Sequence, residues 1–252
     1  MNSTSRSFAQ DERNPAGRHL DWDGCFNARD LGDLPTADGR VTRRGAVVRA
    51  DCLDGLSTTG WSALWDHGVR TVIDLRNDDE LTAPAAERPD GLNTIHLPLD
   101  AIDDSGFWED WLHGPQFATP LYYSAHLERF PEGSARVLAA IAHAQPGGVL
   151  VHCFGGRDRT GQIAMLVLAL AAVAPDEIAA DYALSSERLE RRYEALGEPD
   201  QGPELERFLA ERGTDARQLI RTTLASLDIE STLRRGGLTT SDLGALRGRL
   251  VA

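Results

Sequence analysis

The stretch of chain from Val149 to Ala174 constrains the fold more than any other part of the sequence. It begins with four mainly apolar residues, 149–152, continues through a loop with two adjacent glycines, and passes into a run from Thr160 that is apolar on nearly every side. A short run rich in β-branched residues predicts a buried strand, and an all-round apolar run predicts a buried helix. A strand, a glycine loop and a buried helix in this order are typical of an α/β domain.

Three further runs rich in β-branched residues predict strands at 46–49, 71–75 and 94–97. The segments between and after the strands carry helical patterns. The predicted helices are 57–67, two short helices around Pro115 and Pro120 within 108–130, 132–144, 160–174, a helix from Pro175, and further helices in the charged tail. We therefore expect an α/β fold with a central, mainly parallel sheet of four to five strands, flanked by helices and followed by extra C-terminal helices.

The length of 252 residues fits one well-cored domain, and no repeat or linker divides the chain. Residues 1–18 are polar and predict a disordered lead-in, which leaves 19–252 as a single domain. The N-terminus lacks the apolar core of a signal peptide, and the longest apolar run, 163–174, is too short to span a bilayer. With three cysteines in no paired spacing, the sequence predicts a cytoplasmic protein without a membrane span.

The formal net charge is −13, and all 26 basic residues are arginine. A net anion is a poor generic binder of nucleic acids and acidic membranes, so we expect neither as a partner. The chain contains no lysine at all. An arginine at a position where lysine would be expected is therefore explained by the composition rather than by a special function. No metal-ligand cluster and no dinucleotide fingerprint is present in the sequence, and we expect no metal and no cofactor.

The loop after the strand at 149–152 carries the candidate chemistry. Cys153 is followed six positions later by Arg159, with Gly155 and Gly156 between them. Glycines let backbone N–H groups turn towards an anion, and the N-terminus of the following helix adds positive potential at the same place. In that field a thiolate is favoured over a thiol, and a planar guanidinium can hold two phosphate oxygens. The alternative is that Cys153 is a buried structural thiol.

The loop from His152 to Gly161 resembles that of the Cys-x5-Arg superfamily of protein tyrosine phosphatases. Over about residues 22–250 the chain resembles one branch of it, the bacterial tyrosine phosphatases related to the secreted mycobacterial and listerial enzymes. The matching segments are Asn27–Asp33, Val48–Asp51, Ile73–Arg76, Asp181–Ser185 and Leu243–Arg247. The chain departs from the pattern at Ala28, where the family has an aromatic residue, at Asp33, where it has glycine, and at Arg157, where it has lysine.

The resemblance implies a phosphotyrosine-phosphatase-like fold and a two-step hydrolysis. The Cys153 thiolate attacks phosphorus and forms a phosphocysteine, which water then hydrolyses, while Arg159 holds the phosphate. A basic residue at 157 is implied to widen specificity towards phosphoinositides, although arginine differs from lysine in shape and donors. The residues expected to bind the phosphate are Phe154, Gly155, Gly156, Arg157, Asp158, Arg159, Thr160 and Arg49.

The leaving oxygen needs a proton from a general acid. Many superfamily members supply it from an aspartate in a loop before the cysteine. Here the only carboxylates between Trp111 and His152 are Glu128 and Glu132, and Glu132 lies at a predicted helix start. The lack of an aspartate in this segment favours Asp158, inside the loop, as the general acid, as proposed for this branch. The alternative is that Asp158 braces the loop by pairing with an arginine.

Three other candidates each have two interpretations. Asp74, at the carboxyl end of a predicted strand, is a second candidate acid or the partner of Arg76 or Arg29 in an ion pair. Arg49 contacts the phosphate or lies on the surface. Thr160 donates a hydrogen bond to the thiol sulfur or caps the following helix.

The two remaining cysteines and the aromatic segment also leave alternatives open. Cys25 and Cys52 are interpreted as small buried side chains, and a regulatory disulfide between either one and Cys153 is the alternative. The aromatic residues between 107 and 123 predict helix core, with a lid over the site as the alternative.

The leading hypothesis is a phosphomonoester hydrolase acting on phosphorylated proteins. An alternative is a phosphatase for a small-molecule phosphate ester, such as a nucleotide or a sugar phosphate. A second alternative is a phosphate-binding pseudophosphatase, against which the intact Cys153, Asp158 and Arg159 argue.

Overall fold

The computed structural model describes residues 17–251 of the chain. Most of the expected lead-in, residues 1–16, lies outside the described residues. Arg18 is 4% exposed, and it donates to the Asp30 backbone oxygen at 3.1 Å and to an Asp181 carboxylate oxygen at 2.9 Å. Arg18 therefore packs with the domain, one residue before its predicted start.

Five strands form one sheet in the order β1-β2-β5-β3-β4. The strands are β1 (Arg29–Asp30), β2 (Val47–Ala50), β3 (Val69–Asp74), β4 (Asn93–His96) and β5 (Gly148–His152). β1 is antiparallel to β2, and all other neighbours are parallel. The predicted α/β fold with a mainly parallel sheet of four to five strands is confirmed. Of the five strands described, β1 is the one that the sequence did not predict, because two residues are too few to show a periodic pattern.

Helices cover both faces of the sheet. They are α1 (Thr58–Asp66), α2 (Ser105–Trp111), α3 (Tyr123–Arg129), α4 (Pro131–His143), α5 (Arg159–Leu170), α6 (Pro175–Leu196), α7 (Gly202–Ala210), α8 (Ala216–Ser226), α9 (Ile229–Arg235) and α10 (Thr240–Leu250). As predicted, Ser57 caps α1, since its hydroxyl accepts a hydrogen bond from the Gly60 N–H at 3.1 Å. No helix within residues 17–251 is long and apolar enough to cross a membrane.

Helix α5 is shorter than predicted. It ends at Leu170 rather than at Ala174. Ala172 has a φ angle of +59°, a left-handed conformation that a continuing helix does not allow. Val173 instead forms an isolated β-bridge with Thr36, so a tertiary contact overrides the helical pattern of the sequence.

The sheet separates two apolar cores. Side chains alternate along β5, so that Leu150 faces one core while Val149 and Val151 face the other. The smaller core packs α1 against the sheet through Trp61 and Leu64. The larger core contains α5, which is buried along nearly its whole length, as its all-round apolar pattern predicts.

The aromatic segment belongs to the larger core and does not form a lid. Trp108, Tyr122 and Tyr123 are each at most 1% exposed. The Trp108 ring packs edge-on against Phe107, with centroids 4.9 Å apart. The Trp108 indole N–H donates to the Asp100 backbone oxygen at 2.9 Å, which fixes the loop that follows β4.

Leu166→Ala tests the contribution of α5 to stability. Leu166 is fully buried in the larger core, so truncation removes apolar burial and leaves a cavity. We expect the free energy of unfolding in urea to fall by about 2–5 kcal/mol. The control is Leu196→Ala, because Leu196 is 51% exposed and its truncation should cost less than about 0.5 kcal/mol. Equal losses in the two variants would contradict a dominant role for α5.

Candidate active site

The Cys153 loop lies at the carboxyl edge of the parallel strands, where ligands of open α/β sheets bind. It spans residues 153–158, between the end of β5 and the start of α5. Because β5 lies between β2 and β3, the ends of neighbouring strands flank the loop on both sides. Cys153 is 2% exposed, and the N-terminus of α5 directs its positive dipole end at the loop.

Four carbonyl oxygens of the loop each accept a hydrogen bond from a group outside it. The pairs are Phe154 with the Cys52 N–H (2.9 Å), Gly155 with the Asn27 amide (3.0 Å), Gly156 with the Arg49 guanidinium (2.8 Å) and Asp158 with the Tyr123 hydroxyl (2.6 Å). In a trans peptide the N–H of the next residue points opposite to the carbonyl, so these bonds turn the N–H groups of residues 155, 156, 157 and 159 away from the surrounding protein and towards the inside of the loop. In the described part of the chain, the N–H groups of residues 154–158 donate to no protein acceptor. This arrangement is typical of loops that bind anions.

Of the two adjacent glycines, only Gly156 is required by its position. Its φ angle is +67°, and an added Cβ would lie 2.4 Å from the Ala50 backbone oxygen. At Gly155 the nearest atoms to an added Cβ belong to Leu189, at ordinary contact distance. Phe154 contributes its backbone to the loop, and the residue is 47% exposed.

The Arg159 guanidinium is held beside the loop by two carboxylates. Its Nη2 donates to Glu80 Oε1 at 2.6 Å, and its Nη1 contacts Glu80 Oε2 and lies 3.3 Å from Asp100 Oδ2. Burial lowers the pKa of Arg159, but the Glu80 hydrogen bonds and the neighbouring negative charges raise it above its ordinary value. Arg159 therefore stays charged. The sequence alone did not identify Glu80 and Asp100 as its partners.

Asp100 is the second of these partners and a candidate functional residue. It follows β4, is 1% exposed, and its Oδ1 has no hydrogen-bond partner among the described residues. Burial raises the pKa of Asp100 to about 6, although Arg159 and the Asn77 amide, at 3.1 Å, favour the charged form. Asp100 follows the predicted strand 94–97 by three residues, and this place near the carboxyl end of a strand is the sequence signal that could have identified it.

Asp158 lies at the rim of the loop, with its side chain 23% exposed. Its Oδ1 accepts a hydrogen bond from the Tyr182 hydroxyl at 3.2 Å, and its Oδ2 accepts one from Arg157 Nε at 3.3 Å. The structure therefore contains the features behind both interpretations of Asp158. It lies inside the loop, as expected for a general acid, and it contacts Arg157, as expected for a bracing ion pair.

Asp74 lies outside the loop, in an ion pair with Arg76. The guanidinium donates to both carboxylate oxygens, at 2.8 Å to Oδ2, and the Arg76 N–H donates at 3.0 Å. Burial raises the pKa of Asp74, but these contacts outweigh it and hold the pKa below its ordinary value. Asp74 Oδ2 also lies 3.6 Å from Nε2 of His152, whose pKa burial lowers to about 4. The geometry supports the ion-pair interpretation with Arg76, whereas Arg29 pairs with another carboxylate.

Two expected contacts take a different form in the structure. The Thr160 hydroxyl is buried without a hydrogen-bond partner in residues 17–251, so the expected bond to the thiol sulfur is not formed. Thr160 does not cap α5 either, because the N-cap position is Asp158 and Thr160 lies inside the first turn. Arg49 is 1% exposed rather than on the surface, and it binds the Gly156 carbonyl from behind the loop.

A buried ionic network supports the loop at its back. Asp181, in α6, accepts hydrogen bonds from Arg18 (2.9 Å), Arg29 (3.2 Å) and Arg49 (2.8 Å). Burial raises the pKa of Asp181, but the three guanidinium groups outweigh it and hold the pKa well below its ordinary value. Burial and the nearby Arg49 lower the pKa of Arg29 to about 9. Because Arg49 also binds Gly156, Asp181 positions the loop through a single intermediate side chain.

Cys25 and Cys52 are free thiols in two different environments. The buried Cys25 Sγ donates to Asp51 Oδ1 at 2.8 Å. Cys52 Sγ accepts from Arg76 Nη1 at 3.2 Å, and burial raises the pKa of Cys52 to about 11. A protonated thiol is a poor partner in disulfide exchange, which favours the structural interpretation of Cys52. No group of three or more His, Cys, Asp or Glu side chains within residues 17–251 is placed to hold a metal ion.

Asp181→Asn tests the network behind the loop. The substitution keeps the shape of the side chain but leaves three buried guanidinium groups without their shared counter-charge, so the free energy of unfolding should fall by about 3–5 kcal/mol. Since the pKa of Asp181 is depressed, its contribution is present above the ordinary carboxyl pKa and lost only in acid, and the deficit should be constant between about pH 5 and 8.

The control for this variant is Asp38→Asn, which removes an ion pair to Arg40 whose side chains are 50% and 55% exposed. An exposed ion pair is screened by solvent, so its removal should change the free energy of unfolding only slightly. Urea unfolding of both variants gives the comparison, and a deficit for Asp181→Asn no larger than that of the control would contradict the network.

Comparisons with known proteins agree with this geometry. The tyrosine phosphatase family matches residues 20–252. The triple specificity protein phosphatase PtpB of Mycobacterium tuberculosis is 27% identical over 90% of this chain and 97% of its own length. A candidate tyrosine-protein phosphatase of Cupriavidus necator is 31% identical over 68% of this chain and 65% of its own, and a tyrosine-protein phosphatase of Nostoc commune is 34% identical over 58% and 50%. The matched region contains the whole Cys153 loop, and the chain belongs to the tyrosine phosphatase family.

Proposed function

We propose that this cysteine-dependent phosphatase acts on phosphotyrosine in protein substrates. The phosphatase activity itself follows from the family. The observation that supports the phosphate site is the loop of residues 153–158, whose carbonyls are bound outward and whose N–H groups face inward around the thiol. Arg159, held at 2.6 Å from Glu80, adds a fixed positive charge at the edge of the loop.

The reaction proceeds in two displacements at phosphorus. The Cys153 thiolate forms a sulfur–phosphorus bond while the bond from phosphorus to the leaving oxygen breaks. The leaving oxygen takes a proton from a general acid, which gives the free phenol or alcohol. Water then attacks the phosphocysteine, loses a proton to the same group, and releases inorganic phosphate and the thiolate. Inward N–H groups and Arg159 stabilise the charge on the equatorial oxygens in both steps.

Asp158 is the general acid in this proposal. It lies in the loop, and its partial exposure supports access to a leaving oxygen that departs towards the mouth of the site. Asp100 is buried beside Arg159, which supports a role in tuning that guanidinium rather than in proton transfer. The contact with Arg76 supports a bracing role for Asp74.

Asp158→Asn should separate an acid from a brace. Protonation of the leaving group contributes about 10²–10⁴-fold in rate, and more for a basic leaving oxygen. We expect kcat to fall by that amount on an alkyl phosphate and much less on 4-nitrophenyl phosphate, whose leaving group needs little protonation. Equal losses on both substrates would assign Asp158 to bracing. If kcat of Asp100→Asn instead falls more on the alkyl phosphate than on 4-nitrophenyl phosphate, the general acid is Asp100.

The pH dependence of KM tests the tuning role of Asp100. As pH rises through about 6, Asp100 ionises and adds a negative charge beside Arg159, which opposes the phosphate anion. KM for 4-nitrophenyl phosphate should therefore rise with pH in the native enzyme by more than in Asp100→Asn, which cannot ionise. Titration of the substrate is common to both enzymes and cancels in the comparison. Parallel KM profiles would contradict the tuning role.

The substrate class is tested by comparing kcat/KM on a phosphotyrosine peptide, an inositol phosphate and a nucleoside monophosphate. We expect the peptide to be the best substrate, and Cys153→Ser to abolish turnover of all three. A kcat/KM for the nucleoside phosphate that exceeds that of the peptide by orders of magnitude would assign the enzyme to small-molecule metabolism.

A cytoplasmic location is a further part of the proposal. It is supported by the three free thiols, which are typical of a reducing compartment. Fractionation of the producing cells tests it, and recovery of the protein mainly from the culture medium would contradict it.

A further inference from the structure

A cavity of about 410 Å³ lies next to the Cys153 loop. It is bounded by α6, α7 and α8 and by the segment at residues 118–120. Its lining includes the apolar side chains of Pro120, Ala183, Leu205, Leu209 and Ala216. A volume of this size accommodates a large apolar side chain, and none of the reaction steps above uses it.

Arg157 connects this cavity to the catalytic loop. Its side chain lines the cavity and is 8% exposed. Its Nε donates to Asp158 at 3.3 Å, but in the described part of the chain its two Nη groups donate to no protein acceptor. Both Nη atoms keep some exposure, so they can donate to water or to an acceptor that enters the cavity. The cavity therefore presents hydrogen-bond donors at the end nearest the loop and an apolar body beyond them.

We propose that this cavity is a subsite for an apolar side chain of the phosphotyrosyl peptide, with a backbone carbonyl of the same peptide accepting from Arg157. The inference rests on the proposed phosphotyrosine activity and deepens it. A peptide supplies a carbonyl acceptor and an apolar side chain within one residue of each other. An alkyl phosphate supplies no acceptor apart from the phosphate bound in the loop.

The charges of the cavity lining balance, so they give no preference for a charged occupant. The two acidic residues Glu206 and Asp215 are matched by the two basic residues Arg157 and Arg217. The chain as a whole carries a formal charge of −13, which disfavours an acidic peptide. The selected peptide is therefore apolar rather than acidic at the residue that enters the cavity.

The experiment uses phosphotyrosine peptides in a serine background, with one leucine, or one glutamate, placed at each flanking position in turn. We expect one position at which leucine raises kcat/KM about 10-fold over serine, mainly through KM, because binding one apolar side chain in a pocket is worth that order. Glutamate at the same position should not raise it.

Ser186→Trp tests whether the preference arises in this cavity. Ser186 is an exposed residue of α6 that lines the cavity, so an indole there should fill the space with little effect on folding. The control is Glu177→Trp, an exposed position nine residues earlier and on the opposite side of the same helix. Within each variant the leucine-to-serine ratio is measured, so changes in overall activity cancel. The ratio should fall to about 1 in Ser186→Trp and stay at about 10 in the control.

Binding of the same peptides to Cys153→Ser, measured by calorimetry, tests the subsite without turnover. A leucine preference there supports the subsite even where the phosphotyrosine activity fails. A flat leucine scan, a preference for glutamate, or a preference that survives in Ser186→Trp would overturn it. Activity on 4-nitrophenyl phosphate with no activity on any phosphotyrosine peptide would instead overturn the proposed substrate class.

Discussion

The outward hydrogen bonding of the loop carbonyls is the interaction on which the site depends. These bonds come from the loop before β1, from β2, from the segment that follows β2 and from α3. Together they turn the peptide N–H groups inward, a conformation that the loop could not keep without these hydrogen-bond partners. The site is therefore a consequence of the complete domain, and its geometry should be lost when any of these elements shifts.

The second constraint is the distribution of charge. A chain with a net charge of −13 concentrates positive potential at one point by burying arginines around the loop. Behind the loop three guanidinium groups share Asp181, and in front Arg159 is balanced by Glu80 and Asp100. The front carboxylates keep Arg159 in place, and in the proposed mechanism they compete with phosphate for it. Because burial raises the pKa of Asp100 to about 6, we expect that competition to depend on pH.

The features that could be predicted are those with local causes. The strand–loop–helix order around Cys153 and the buried character of α5 follow from periodicity and from glycine. The end of α5 at Leu170 could not be predicted, because a bridge between Val173 and Thr36 sets it. The contacts of Glu80 and Asp100 with Arg159 could not be predicted either, because they are created by the parallel packing of β3 and β4 on one side of β5.

The sequence by itself determined the chemistry: a cysteine and an arginine six positions apart, on a glycine loop between a strand and a buried helix. Those properties depend on covalent order and local backbone preference, which operate along the chain. Only the tertiary structure decided which carboxylates face Arg159, what Arg49 binds, and that a cavity opens next to Arg157. Those properties depend on contacts between residues far apart in sequence, where burial and charge pairing, rather than local pattern, set the outcome.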